Sequence, residues 1–159
     1  PMFSPVTGVS EFQTMEQSKQ LLESGEVVYC MESDGLPCGT CSKCFRRDVI
    51  RSYLDEDYEP NWINYHSDKM IQFLQKRPLY FGHVFSTAFH LKPNLYPDWV
   101  LDEVKDLEEV PSDWAMRVYV PSFDLCDPKW RDLISSRVLE FIDPMNTQEE
   151  ADFKSWNQS

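Results

Sequence analysis

Glycine is scarce in this chain: there are five in 159 residues, none adjacent to another. A loop that cradles phosphate needs small residues at several positions so that successive backbone amides can converge on the anion. These residues cannot build one. Basic side chains are in the minority as well, 15 Lys and Arg against 27 Asp and Glu, for a formal net charge of −12. An acidic surface repels phosphate backbones, which argues against direct binding of nucleic acid. No apolar run approaches the roughly 18 residues of a membrane span. No charged leader precedes an apolar segment, and the end Asn157-Gln158-Ser159 carries no lipidation signal. The expectation is a cytoplasmic protein without membrane association, in a compartment that keeps thiols reduced. A Gly-x-Ser-x-Gly nucleophile elbow is lacking too. His66, His83 and His90 are scattered, with no carboxylate spaced with them as in a zinc hydrolase, and read as core or partly exposed residues. The acid pairs Asp102-Glu103 and Glu149-Glu150 point in different directions on a helix and face water.

Cysteine, by contrast, is concentrated. Cys30, Cys38, Cys41 and Cys44 fall within fifteen residues, the last three in a Cys-x2-Cys-x2-Cys run. One short loop can bring four such thiolates around a single tetrahedral ion, and Zn²⁺ favours four sulfur ligands at about 2.3 Å. Three alternatives stand beside zinc. Two disulfides would need tight rings at this spacing. An iron–sulfur cluster shares the Cys-x2-Cys-x2-Cys element, although here the fourth cysteine is upstream and no Cys-Pro follows. Free thiols are the third. Gly39 suits a metal loop, because a residue without Cβ lets backbone amides approach the sulfurs. Cys126 stands far off in sequence and reads as a small buried residue. With zinc bound, the four thiolates add roughly −2 to the net charge. The cations Lys43, Arg46, Arg47 and Arg51 cluster in and just after the loop, where they offset that charge or face an anionic ligand.

The run Pro37-Cys38-Gly39-Thr40-Cys41-Ser42-Lys43-Cys44-Phe45-Arg46-Arg47, with Cys30 before it, resembles the zinc loop near the C-terminus of 7-cyano-7-deazaguanine synthases. Those enzymes belong to the PP-loop ATP pyrophosphatase superfamily and serve queuosine and related pathways. Upstream, Pro5-Val6-Thr7-Gly8-Val9-Ser10-Glu11 resembles the segment that the family places just before its cysteine strand, departing from it at Glu11, where the family usually has lysine. The resemblance covers about the first third of the chain. The family's Ser-Gly-Gly-x-Asp-Ser phosphate loop does not occur in it. The resemblance implies the C-terminal zinc-binding part of an ATP-dependent, C–N bond-forming ligase that activates a carboxylate and carries it to an amide or nitrile. Such a part is inactive alone, with structural zinc on Cys30, Cys38, Cys41 and Cys44. It uses ATP only if an N-terminal ATPase half or a partner protein supplies the site. Arg47 matches the family's arginine, and Arg46 and Arg47 are the nearest candidates for substrate or phosphate contact. The alternative is a noncatalytic, zinc-stabilised helical module for protein–protein interaction.

Patterning predicts a mainly α (α+β) chain: a short strand and a four-cysteine zinc loop followed by a helical body. Content that is 42% hydrophobic and 14% aromatic suffices for a core. Thr14 with Gln17 reads as a capping box for a helix running to Ser24-Gly25, and Glu26–Tyr29 as a strand delivering Cys30. Ser42 is the expected cap of a helix through Leu54 that puts Cys44 on its first turn. The acidic run from Asp55 to Pro60 is the expected boundary between residues 1–56, the zinc-loop segment, and 57–159, an acidic helical extension. Further helices are expected after Ser67, over Leu79–Leu91, from Pro97, after Asp127-Pro128, and from Thr147 with Glu150 as capping partner. Met116 to Val120 fits either a strand or a helix end. Trp62, Tyr65, Tyr96, Trp99, Trp114, Trp130 and Trp156 are assigned to the core, with a docking surface as the other use.

Overall fold

The computed structural model describes residues 8–19, 30, 37–79, 81–107 and 114–155. It is mainly helical, with no extended strand among these residues. Two compact units divide the described residues: one comprises 8–14 and 114–155, the other 15–19, 30, 37–79 and 81–107. The chain therefore does not part at the expected Asp55–Pro60 connector. Asp48, before it, is hydrogen-bonded by Tyr58 and Tyr65 on either side of its end, which holds both segments in one unit.

Helix α1 (Glu11–Gln17) begins earlier than the Thr14 capping box predicts. Ser10 takes that role: its hydroxyl accepts the Gln13 amide at 3.3 Å, and its carbonyl accepts both the Thr14 amide at 3.1 Å and the Thr14 hydroxyl at 3.0 Å. The expected continuation to Gly25 and the strand before Cys30 lie outside the described residues.

In the larger unit, α2 (Ser42–Leu54) packs on α4 (Gly82–Leu91), and α3 (Asp68–Gln75) packs on α5 (Asp98–Val104). Apolar residues of α2 at 45, 49 and 50 are fully buried, as are Leu74, Val84, Phe85 and Val100. Ser67 caps α3 through the Met70 amide, as its sequence predicts. α4 is shorter than the expected Leu79–Leu91 because Phe81 sits at φ +61, a left-handed conformation that cannot continue a helix. Pro97 occupies the cap position of α5, one residue before the first turn where it was expected.

In the smaller unit, Val118, Phe123, Cys126 and Ile142 form a core flanked by Val9, Val120, Ile134 and Val138. The ambiguous Met116–Val120 segment is neither strand nor regular helix. It leaves a 3-10 turn at Trp114–Met116, makes an isolated parallel bridge from Val118 to Pro144, and enters a second 3-10 turn at Val120–Leu125. Asp127 caps α6 (Pro128–Leu139) by accepting the Lys129 amide at 2.9 Å, as predicted. α7 (Thr147–Ser155) has its capping box one residue earlier than expected. Asn146 Oδ1 accepts the Gln148 and Glu149 amides, and Glu149 Oε2 accepts the Asn146 amide at 2.8 Å.

Candidate metal centre

The site is assembled at the start of α2. Cys41, not Ser42, is the N-cap, with extended backbone (φ −89, ψ 160) and its sulfur accepting the Cys44 amide at 3.4 Å. Its carbonyl accepts the Phe45 amide at 2.9 Å. A cysteine sulfur thus does what a serine oxygen does at other helix starts, satisfying one of the amides that the first turn leaves open. Cys44 falls in that first turn, as the sequence predicts. Gly39 adopts φ +69. A Cβ there would meet nothing nearer than Asn64 Nδ2 at 3.9 Å, so glycine is required by the left-handed backbone and not by lack of room.

The loop brings the sulfurs of Cys30, Cys38, Cys41 and Cys44 within 4.8 Å of one another, close enough together to hold a metal ion. Cys38 Sγ lies 3.8 Å from Cys44 Sγ. Four sulfurs placed tetrahedrally at 2.3 Å from one ion are about 3.8 Å apart, whereas a disulfide brings two sulfurs to about 2.05 Å. All five cysteines are unbridged. Cys30 and Cys44 are each 1% exposed, while Cys38 and Cys41 are half-buried. Cys126 lies in the core of the other unit, as its isolation in sequence predicts.

The donor set also suits a cation electrostatically. Burial pushes the Cys44 thiol up to about 12; a backbone hydrogen bond from Gly39 opposes the shift, and the neighbouring cysteine sulfurs add to it. Burial likewise raises Cys41. Cys38 is lowered to about 6, first by the Thr40 hydroxyl, 3.5 Å from its sulfur, and then by the Thr40 amide. Several sulfurs this close cannot all be anionic without a positive charge among them, and a metal that coordinates a thiol deprotonates it outright.

The two arginines expected to contact substrate or phosphate go to different neighbours. Arg47, largely buried, places Nη2 at 2.8 Å and Nε at 3.2 Å from Asp48 Oδ1. The Arg46 guanidinium stacks 3.6 Å over the Phe81 ring. Sequence reasoning passed over Asp48. It is 6% exposed and also accepts the Tyr65 hydroxyl at 2.6 Å and the Tyr58 hydroxyl at 3.2 Å. The available signal was an acid at a buried position of α2, four residues after Cys44 and flanked by Phe45 and Val49. Tyr65 in turn packs on Phe45 with ring centroids 5.3 Å apart, so the cysteine helix and the Trp62–Tyr65 turn share one aromatic and hydrogen-bonded seam.

The histidines do not gather. His66 stacks on Trp99 at 4.7 Å, His90 lies against the Ser86 carbonyl, and His83 is lowered by burial and by the Arg46 charge. Of the large rings, Tyr65, Tyr96 and Trp114 are buried, Trp62 and Trp99 half-buried and Trp130 exposed, while Trp156 lies outside the described residues.

No described helix is long and apolar enough to cross a membrane. A family model described as "Family of unknown function (DUF6395)" matches residues 1–157, and the chain belongs to that family. No curated protein and no solved structure matches it.

Proposed function

We propose that this family member is the zinc-binding part of an ATP-dependent enzyme similar to the 7-cyano-7-deazaguanine synthases. Cys30, Cys38, Cys41 and Cys44 would hold one Zn²⁺. The observation that supports this is the convergence of the four sulfurs in the run that carries the resemblance, with the Cys38–Cys44 separation of 3.8 Å fitting a single tetrahedral ion. A site closed by four thiolates has no position for water or substrate, so the zinc is structural. It ties the loop to the first turn of α2 and thereby fixes the helix that carries Arg46 and Arg47.

The chemistry implied is adenylylation of a carboxylate, attack of ammonia with AMP leaving to give an amide, and a second adenylylation at the amide oxygen, which departs with AMP to leave the nitrile. These residues contain no phosphate loop. ATP must therefore be bound by another segment or by a partner polypeptide, and this chain alone turns over no ATP. Metal analysis of protein purified without added metal tests the centre: about one zinc per chain, with four thiols freed only on chelation, is expected. No metal, or iron with visible colour, overturns it. ATP-to-AMP turnover by the purified chain would overturn the claim that it is catalytically incomplete.

A second reading, a noncatalytic zinc-stabilised module that docks another protein, has one observation in its favour. Leu125, Leu133 and Phe141 of the smaller unit are 74%, 54% and 67% exposed, which leaves apolar side chains available to a partner. The upstream reading frame separates the two: a Ser-Gly-Gly-x-Asp-Ser loop supports the enzyme, and an immediate stop codon supports the module.

A further inference from the structure

We infer that the cysteine centre is also a site of reversible oxidation, in which a hydroperoxide attacks at Cys38 and Cys44 closes a Cys38–Cys44 disulfide that expels the metal. This rests on the zinc reading above and adds to it a modification site with an order of events.

Three observations carry it. First, access is unequal. Cys30 and Cys44 are each 1% exposed, whereas Cys38 and Cys41 are half-buried, so oxidant from solvent meets one of the latter two. Second, those two sulfurs are engaged differently. Cys41 Sγ accepts the Cys44 amide and caps α2, so oxidising it first would cost the helix its cap. Cys38 precedes the helix and is touched by the Thr40 hydroxyl. Third, a resolving sulfur is in place. Cys44 Sγ is 3.8 Å from Cys38 Sγ, and a disulfide requires closing that gap by about 1.8 Å. The left-handed Gly39, where a Cβ would meet only Asn64 Nδ2 at 3.9 Å, sits next to Cys38 in the loop that has to move.

In the first step the Cys38 thiolate attacks one peroxide oxygen; the O–O bond breaks, a sulfenic acid forms, and the departing oxygen takes a proton from solvent and leaves as water or alcohol. The Cys44 thiolate then attacks the Cys38 sulfur; the S–S bond forms, the S–O bond breaks, and the hydroxide leaves as water after taking a second solvent proton. Two electrons pass from the two sulfurs to the peroxide. Two of four ligands are lost, and an ion left on Cys30 and Cys41 alone is released. A dithiol reductant reverses the reaction.

The test uses the whole chain, first assayed for zinc and then titrated with hydrogen peroxide, with zinc release read by a metallochromic dye and disulfides mapped by mass spectrometry. One zinc released per disulfide, the first disulfide joining Cys38 and Cys44, and zinc uptake restored by dithiothreitol are expected. A Cys126→Ala variant should behave identically. A different first pairing, release that tracks irreversible sulfinic or sulfonic acid, or zinc retained while free cysteine in the same solution is oxidised would each overturn the proposal. Zinc missing before any peroxide is added sinks the zinc reading instead, and the disulfide map then still decides whether Cys38 and Cys44 pair first.

Discussion

Asp48 offers the sharpest test of how the cysteine helix is held. Its carboxylate is buried and receives the Tyr65 hydroxyl at 2.6 Å, the Tyr58 hydroxyl at 3.2 Å and the Arg47 guanidinium at 2.8 Å. Removing one partner of a buried ion pair costs about 3–5 kcal/mol, because the other charge stays behind. Arg47 keeps 14% of its side chain in solvent, so we place Asp48→Ala near the lower end, at about 3 kcal/mol. Tyr65→Phe removes one hydrogen bond to a charged group and should cost about 1.5–3 kcal/mol. The two substitutions share one carboxylate, so the double variant should be less damaged than the sum of the singles by about 1–2 kcal/mol. Urea unfolding in the presence of added zinc, followed by far-ultraviolet circular dichroism, measures all three. An Asp48→Ala midpoint equivalent to less than about 0.5 kcal/mol of loss, or strict additivity in the double variant, would refute the reasoning.

Other outcomes follow from the same geometry. On the zinc reading proposed above, Cys41→Ser should keep a helix cap while removing one of the four sulfurs, so zinc content falls below that of the unsubstituted chain although the start of α2 remains capped; Cys44→Ser should lower it equally, and metal analysis reads both. Gly39→Ala should cost about 1–2 kcal/mol, from the left-handed backbone alone. Gly8→Ala should cost more, since its Cβ would fall 2.8 Å from the Tyr119 carbonyl oxygen as well as onto the Ser122 side chain, and urea midpoints should rank the two in that order. Burial, and for Tyr65 also Asp48, raises the Tyr65 and Tyr96 hydroxyls above the usual tyrosine range. With the folded pKa above the unfolded one, their stabilisation is complete below about pH 10 and declines as pH rises beyond it, by about 1.4 kcal/mol per unit for each tyrosine. Unfolding midpoints between about pH 9 and 11 should show that decline, and Tyr65→Phe should make it shallower.

The cysteine cluster was legible because four cysteines so closely spaced can converge from one short loop, as their sulfurs do, and the helices after Ser67 and Asp127 were legible because a cap announces itself locally. Caps were misplaced by a few residues where two polar residues competed. Ser10 prevailed over Thr14, and Asn146 over Thr147, because in each case the earlier residue can close two hydrogen bonds on the first turn. Cys41 displaced Ser42 as a cap for a reason propensity scales do not hold: a sulfur already drawn to the centre lies within reach of the Cys44 amide. The Asp48 network stayed hidden because its partners, Tyr58 and Tyr65, are set by how the turn after α2 folds back, which no periodicity in α2 records. The division into units was hidden for the same reason, since it depends on pairings between residues far apart in sequence.

Those distant pairings bear on the order of assembly. The Ser10 hydroxyl donates to the Ala115 carbonyl across 105 positions of chain, and the Gln13 amide side chain donates to the Met116 carbonyl across 103. The seam around the cysteines, by contrast, links Asp48 to partners 10 and 17 positions away. Joining two points separated by roughly 100 flexible residues costs about 4 kcal/mol of loop entropy, whereas closing a ten-residue span costs about half as much. The local seam is therefore cheap to nucleate and should form early, and the smaller unit should wait for it, because its two stretches of chain are brought within reach only as the residues between them become compact. A lesion at the cysteine cluster would then slow the maturation of a unit that contains none of its four sulfurs.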